Sequence, residues 1–346
     1  MKTSKLNIYE IAQKAKVSIA TISRAMNPET RGKVAVRTLE KIDRLVEKLG
    51  YTPSLAAKNL TQTSTKTIGV VFPYLPGIFY SNYYNHILAS VSDYLYSTDY
   101  RFKLLLLKPE QPFWNNFDFK AGEGVDGLLI THWFKYFSDK SVLEKINVPS
   151  VVINDIDKSV HAQFVGSDQK AGGQIAAEHL FQLGHRRIGV IAGPDWSLDS
   201  KQRIQGFKSY LKIKGVVIQS NQVVKGDFLK EVAYNEVEKL IKKVPDLTAI
   251  FACNDQMAVG AIQRLKEMGK ECPKDISVIG FDDEPVAVGF SPQLTTVHVP
   301  IFDIAKEAAA LLLKYLSETN QKKRPKGCFF LPMKIIERQS TSHKRK

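Results

Sequence analysis

The chain has 346 residues, a formal net charge of +14 at pH 7 and three cysteines. Residues 1–66 hold 13 Lys/Arg against 5 Asp/Glu and residues 321–346 hold 9 against 1, whereas the middle of the chain is nearly neutral. Basic ends of this kind favour a polyanionic partner. The scattered cysteines include no CxxC pair, and no apolar run is long enough for a signal segment or a membrane span. A cytoplasmic protein with free thiols is therefore expected.

The first predicted elements are two short helices within residues 7–27. Ile8, Ile11, Ala12 and Ala15 repeat at helical spacing, and Asn7 with Glu10 forms a capping-box pattern before them. Ser18 offers a second N-cap before the segment that ends at Asn27. Helices this short must pack on each other and on a third helix, so the pattern predicts a helix-turn-helix whose second helix, Ser18–Met26, enters the DNA major groove. An ordinary helical hairpin is the competing interpretation.

A loop and a third helix complete this head. The composition of Pro28–Gly32 predicts a loop, and apolar residues from Leu39 to Leu49 predict a helix that ends at Gly50. The segment Leu55–Leu60 is one or two turns of marginal helix before a polar linker. The predicted division is therefore a helical head at 1–50, a hinge and linker at 51–66, a core at 67–340 and a basic tail at 341–346, whose end is expected to be disordered.

From Ile68 onwards, short apolar strands alternate with amphipathic helices, and no internal sequence repeat is found. This alternation is typical of α/β proteins with parallel sheets covered by helices, and the length favours two lobes. The predicted strands are Ile68–Phe72, Phe102–Leu107, Gly127–Ile130, Val151–Ile153, Ile188–Ala192, Ala249–Ala252, Val278–Phe281 and Thr295–Val299. The predicted helices are Gly173–Gln182, Lys201–Lys212, Val232–Lys242, Asp255–Glu267 and Phe302–Leu316.

Several separate stretches together carry a resemblance to a known family. They are Asn7–Asn27, Tyr51–Leu60, VGSD at 165–168, EHL at 178–180, LGHRRIGVIAGP at 183–194, Arg203 with Gly206-Phe207, CNDxMA at 253–258, GFDD at 280–283, LTTV at 294–297 and ERQS at 337–340. In this order they resemble the lactose-repressor (LacI/GalR-type) family of bacterial transcription regulators over nearly the whole chain.

The resemblance implies a DNA-binding head, a hinge helix and a two-lobed core like a periplasmic sugar-binding protein. It places the first lobe at about 67–165 and 296–326 and the second at about 166–295 and 327–340. It also implies a homodimer on a palindromic operator, with DNA affinity controlled by a small ligand, a sugar or sugar derivative, between the lobes. The chain departs from the family where Tyr74 follows Pro73 in place of an aspartate, and in the tyrosine-rich segment after it.

Candidate DNA contacts lie on the second helix and in the hinge. Ile19 and Ala20 offer only apolar contact, which suits a thymine methyl group, or they are simply exposed apolar residues. Thr21, Ser23 and Arg24 can donate to phosphate or to a guanine edge. By resemblance, Leu60 is a minor-groove wedge and Ala57 allows two hinge helices to pack closely, although a passive linker is the alternative. The full expected set is Ser18, Ile19, Ala20, Thr21, Ser23, Arg24, Asn27, Tyr51, Ala57 and Leu60.

Candidate ligand contacts are Phe79, Trp196, Arg203, Asn254 and Asp282. The last three match family cleft positions, and their side chains suit a polyol because Arg and Asn donate to hydroxyl oxygens and Asp accepts from hydroxyls. Asp282 follows an apolar strand, where α/β sheets bind ligands, although a turn or cap role is equally open.

No nucleophile motif, phosphate loop, metal cluster or cofactor motif is found in the sequence. His179 and His185 are expected to be packed or solvated, and Asp168 is expected to cap a helix. The sequence therefore predicts a regulator that is not an enzyme and has no metal or cofactor. The alternative is a sugar-binding module or α/β enzyme whose helical head contacts protein.

Overall fold

The computed structural model describes residues 8–26, 28–49, 64–74, 78–107, 124–133, 143, 146, 148–318 and 327–344. They fall into two compact units, one within Met1–Thr65 and one within Lys66–Lys346. Asn7, Asn27 and the predicted hinge, with Tyr51, Ala57 and Leu60, lie outside the described residues. No described helix is long and apolar enough to cross a lipid bilayer.

The N-terminal unit is a small helical bundle. Its helices are α1 (Ile8–Ala15), α2 (Ile19–Met26), α3 (Pro28–Arg31) and α4 (Val36–Leu49). The apolar faces predicted from helical spacing meet in one core formed by Ile11, Ala12, Ala15, Ile22, Ala25 and Ile42. Each helix is too short to be stable alone, so this shared core holds the unit together.

The predicted loop at Pro28–Gly32 is wrong in part, because residues 28–31 form the single-turn helix α3. Proline is compatible with a first helical turn, whose N–H groups have no partner within the helix. The Arg31 side chain donates to the Ala25 carbonyl oxygen at 2.8 Å and pairs with Asp43 on α4. These tertiary contacts, which composition does not reveal, fix the turn as a helix.

The first sheet of the core is entirely parallel. Its strands run in the spatial order β2, β1, β3, β4, β5, β11. Their bounds are β1 (Thr67–Pro73), β2 (Arg101–Leu107), β3 (Gly127–Thr131), β4 (Ser150–Ile153), β5 (Gln163–Gly166) and β11 (Gly327–Phe330). The helices α5 (Asn82–Tyr96) and α11 (Ile301–Ser317) pack together beside it.

The second sheet repeats the same order, as β7, β6, β8, β9, β10, β12, with only β12 antiparallel to its neighbour. Its strands are β6 (Ile188–Ala192), β7 (Val223–Lys225), β8 (Ala249–Ala252), β9 (Ser277–Asp282), β10 (Thr295–His298) and β12 (Lys334–Ile336). Its helices are α6 (Gln169–Gln182), α7 (Leu198–Ile213), α8 (Lys230–Lys243), α9 (Asp255–Glu267) and α10 (Val286–Gly289). The two lobes thus share a topology although no sequence repeat is detectable.

Two of the predicted lobe boundaries differ from the observed sheets. Strand β11 lies in the first sheet, although 327–340 was assigned to the second lobe, and β10 lies in the second sheet, although 296–326 was assigned to the first. The chain passes between the sheets after β5, after β10 and after β11. An exposed, short strand such as β11 carries no burial pattern that reveals which sheet it joins.

All eight predicted strands are present, and four short strands and the core helices α5 and α10 were not predicted. Three of the predicted core helices begin two to four residues earlier than expected, because their first turns contain few apolar residues. Asp168 caps α6 as predicted, accepting from the Ala171 N–H at 3.0 Å, and Ser197 caps α7 in the same way.

The expected disorder of the tail is wrong for residues 341–344, which lie against the second lobe. The His179 ring nitrogen Nε2 and the Thr341 hydroxyl are 2.9 Å apart, His185 Nε2 lies 3.0 Å from the Ser342 carbonyl oxygen, and the Lys344 N–H donates to the Leu183 carbonyl oxygen at 2.8 Å. Both histidines are buried, so their predicted packed role is confirmed.

Candidate functional sites: a helix face and an interlobe cleft

The joint between α1 and α2 is set by the backbone. Lys16 adopts a positive φ of 52°, and the N–H groups of Lys16 and Val17 donate to the carbonyl oxygens of Gln13 and Ala12, a Schellman ending for α1. Ser18 then caps α2, because its hydroxyl oxygen accepts from the Thr21 N–H at 3.1 Å. The predicted N-cap is therefore present, and α2 begins where the prediction placed it.

The predicted DNA-contacting residues of α2 form its solvent face. Ile22 and Ala25 face the head's core, whereas Ser18, Ala20, Ser23 and Arg24 are exposed and Thr21 is half-buried. Ile19 is 41% exposed and therefore lies outside the small core of the head. The structure thus presents six predicted residues together on a surface that can enter a groove.

The second site is a cleft of about 950 Å³ between the two lobes of the core. It opens at the carboxyl ends of parallel strands, beside the points where the strand order reverses between β1 and β3 and between β6 and β8. Such switch points are where open α/β sheets bind ligands. The first lobe supplies Ile78, Ser81, Tyr83, Tyr84 and His132. The second supplies among others Trp196, Asp199, Arg203, Phe228, Asn254, Asp282 and Glu284.

Arg203 lies at the floor of the cleft and is 4% exposed. Its guanidinium donates to Gln169 Oε1 at 2.8 Å and to the Cys253 carbonyl oxygen at 2.6 Å, pairs with Asp282 Oδ1 at 3.0 Å and stacks over the Phe281 ring. Burial raises the pKa of Asp282, and the neighbouring Arg203 opposes that rise. The predicted pair is therefore one charge-balanced unit rather than two independent ligand groups.

The other predicted ligand residues are placed differently. Asn254 lines the cleft, but its side chain also caps α9 through the Met257 N–H at 2.9 Å. Trp196 lines the cleft with its ring 5.7 Å from that of His132. Phe79 is 49% exposed and is not among the lining residues, whereas its neighbour Ile78 is.

The cleft also contains a buried cluster of ionisable groups that the sequence did not indicate. His132 Nδ1 lies 3.1 Å from Asp155 Oδ2, and the Asp155 N–H donates to Asp199 Oδ1 across the lobes at 3.2 Å. Burial and the charge of Asp155 raise the pKa of Asp199 to about 7, against the effects of Arg203 and His132. A buried cluster that includes a carboxylic acid with a pKa near neutral pH is typical of a functional site.

A usable signal for His132 was present in the sequence. It directly follows a buried apolar strand, as Asp282 does, and polar groups at strand ends gather at one edge of a parallel sheet. Asp199 lies in the first turn of α7, and Phe228 follows a short strand that was not predicted, so neither had a comparable signal.

Comparison with known proteins matches the head and the core of the chain separately. Residues 7–54 match the model of bacterial regulatory proteins of the lacI family, and residues 177–341 match a periplasmic binding protein-like domain. The chain is 30% identical to catabolite control protein A of Priestia megaterium over 97% of this chain and 99% of that one. It is 31% identical to the HTH-type transcriptional repressor PurR of Vibrio atlanticus over 96% and 98%.

Solved structures share the fold of this chain. The transcriptional regulator CelR in complex with cellobiose matches with a TM-score of 0.72 and 25% identity over 97% of this chain and 99% of that one. The lac repressor dimer bound to operator and the anti-inducer ONPF matches with a TM-score of 0.80 and 24% identity over 98% and 100%, which supports the fold. Because relatives at 30–31% identity cover 96–97% of the chain, it belongs to the lacI family of bacterial regulatory proteins.

Proposed function

We propose that this chain is a cytoplasmic, homodimeric transcription repressor whose affinity for a palindromic DNA operator is controlled by a sugar or sugar derivative bound between the core lobes. One observation carries the proposal: the same chain has an exposed recognition face on α2 and, in its core, a cleft that combines aromatic side chains with polar groups. A sugar-binding module or an enzyme would need only the second of these.

The DNA contacts of the proposal begin with the exposed residues of α2. Ile19 and Ala20 contact base edges through apolar surface, and Ser18, Thr21, Ser23 and Arg24 bind phosphate or base edges. Asn27, Tyr51, Ala57 and Leu60 complete the set on the strength of the family resemblance. Leu60→Ala is expected to weaken operator binding and to leave the melting temperature of the core unchanged, because a wedge acts only on bound DNA.

The ligand contacts of the proposal are the cleft groups. Trp196 and Phe228 provide faces for a sugar ring, Asn254 donates to a hydroxyl oxygen, and the paired Arg203 and Asp282 offer a donor and an acceptor side by side. The regulators and repressors among the relatives favour a binding role over catalysis. Because CelR was solved with cellobiose, that sugar is the first probe.

Operator selection followed by fluorescence anisotropy tests the DNA half. A palindromic duplex should bind one dimer, and log K should fall with log salt by about 0.9 for each neutralised phosphate. Thermal shift with a sugar panel that includes cellobiose tests the ligand half, since a ligand of the folded state raises stability. Salt-independent DNA binding, or binding of a monomer to one half-site, would overturn the proposal.

A further inference from the structure

His132 has features that its neighbours in the cleft lack. It directly follows β3 in the first lobe, it lines the cleft, and its ring lies against Tyr83, Tyr84 and Trp196. Its Nδ1 is engaged by Asp155, and Nε2 has no hydrogen-bond partner within the described part of the chain. A ring fixed at one nitrogen can present only the other to a ligand.

Contacts from the surrounding structure hold this histidine and two nearby residues in an unusual backbone conformation. His132, Asn154 and Asp155 all adopt positive φ, at 48°, 55° and 46°, which is costly for residues other than glycine. Trp133 Nε1 donates to the Asp155 carbonyl oxygen at 2.8 Å, so the two strand ends hold each other. Strain of this kind, held by surrounding contacts, is found at functional sites.

The charges that face His132 favour its protonated form. Asp155 Oδ1 is buried without a hydrogen-bond partner among the described residues. The negative charge of this carboxylate is therefore balanced by the histidine that contacts its Oδ2. Burial acts to lower the pKa of His132, but Asp155 and Asp199 outweigh burial and the repulsion of Arg203, so the pKa lies above its usual 6.5. Tyr83 packs against the ring and adds no charge at neutral pH.

We propose that His132, held at Nδ1 by Asp155, presents its Nε2–H as the first lobe's charged hydrogen-bond donor to the effector. This inference rests on the proposed function for the identity of the cleft as an effector site. It makes effector binding proton-linked, because a ligand that accepts from Nε2–H favours the protonated form. Of the described first-lobe residues that line the cleft, His132 is the one with a basic side chain, whereas Arg203, Lys225 and Lys230 belong to the second lobe.

The protonation state can be measured without any ligand, because an imidazolium quenches a nearby indole. Trp196 lies beside His132, so tryptophan emission should rise as the pH passes a midpoint above 6.5. His132→Asn should abolish this transition, and His161→Asn, which removes an exposed histidine, should keep it. Asp155→Asn keeps the shape of the side chain but removes its charge, and should move the midpoint to lower pH. A parental midpoint at or below 6.5, or an unchanged transition in His132→Asn, would overturn the proposal.

The donor role is tested by thermal shift with cellobiose and ribose at pH 6.0 and pH 8.5. A sugar that binds the parent should bind about tenfold more weakly at pH 8.5, since a charged donor makes the stronger hydrogen bond. In His132→Asn its affinity should be equal at both pH values. Equal affinity in the parent would overturn the donor role. If neither sugar binds the parent, that result counts against a sugar effector and not against the charge on His132, which the fluorescence titration decides.

Discussion

Removing the guanidinium of Arg203 is expected to destabilise the core as well as to abolish the effector response. Arg203→Ala leaves the carboxylate of Asp282 without its ion pair and removes the donors to Gln169 and to the Cys253 carbonyl oxygen. Breaking a buried ion pair from one side costs about 3–5 kcal/mol. In a unit of this size, each kcal/mol shifts the melting temperature by about 2–4 °C, so a loss on the order of 10 °C is expected.

The destabilisation should depend on pH in a defined direction. Burial already raises the pKa of Asp282, and loss of Arg203 removes the group that opposes the rise. A carboxyl whose folded pKa exceeds its unfolded value is stabilising below the unfolded pKa and loses that contribution as the pH rises through the folded pKa. The deficit of Arg203→Ala relative to the parent should therefore be smaller at pH 5 than at pH 8.

Differential scanning calorimetry of the parent and the variant across this pH range is the assay. Arg187→Ala is the matched control, because Arg187 forms an exposed pair with Asp246 whose charges are screened by solvent. If Arg203→Ala melts within 1 °C of the parent, or if its deficit is the same at pH 5 and pH 8, the buried network does not have the energetics inferred from its geometry.

Three further predictions concern packing, capping and pH. Gly206→Ala should lower the melting temperature of the core, because the added Cβ would lie 1.9 Å from a carbonyl oxygen of α6. The control Gly289→Ala, whose Cβ would face open space, should leave the melting temperature unchanged. Equal melting temperatures of the two variants would contradict the close helix contact. Ser18→Ala should destabilise the head by about 1 kcal/mol through loss of the cap on the Thr21 N–H, measured by circular dichroism, and unchanged melting would remove Ser18 as a cap. Burial lowers the pKa of His185, so the stability it contributes is present above about pH 6.5 and is lost as the pH falls below that value. The acid-side slope of melting temperature against pH should be shallower in His185→Gln, and an identical slope would exclude this histidine as a source.

The sequence predicted the elements whose pattern is local. The helix-turn-helix follows from apolar spacing and the Ser18 cap, and the buried strands follow from unbroken runs such as Ile188–Ala192. Asp282 could be placed in the cleft because it ends such a strand. These inferences need only the identity of residues a few positions apart.

What the sequence did not reveal depends on contacts between distant residues. The pairing of β11 with β5 joins segments more than 150 residues apart, and the cluster of His132, Asp155 and Asp199 combines three separate loops or helix ends. Phe79 was chosen for its type, yet the neighbouring Ile78 lines the cleft. Which of two adjacent side chains points inward is set by the turn that carries them, and residue type does not encode it.

The late position of β11 and β12 has a consequence for synthesis of the protein. Each of these strands closes one edge of a sheet, and both lie within residues 327–336, after all the other described strands. Domains made on the ribosome usually fold as each one emerges, in order from the N-terminus. The described helices of the head lie within residues 8–49, so the head can fold early. Neither core lobe can be completed until residues 327–336 have been made, so the ribosome-bound nascent chain can carry a folded DNA-binding head well before it has a finished effector cleft.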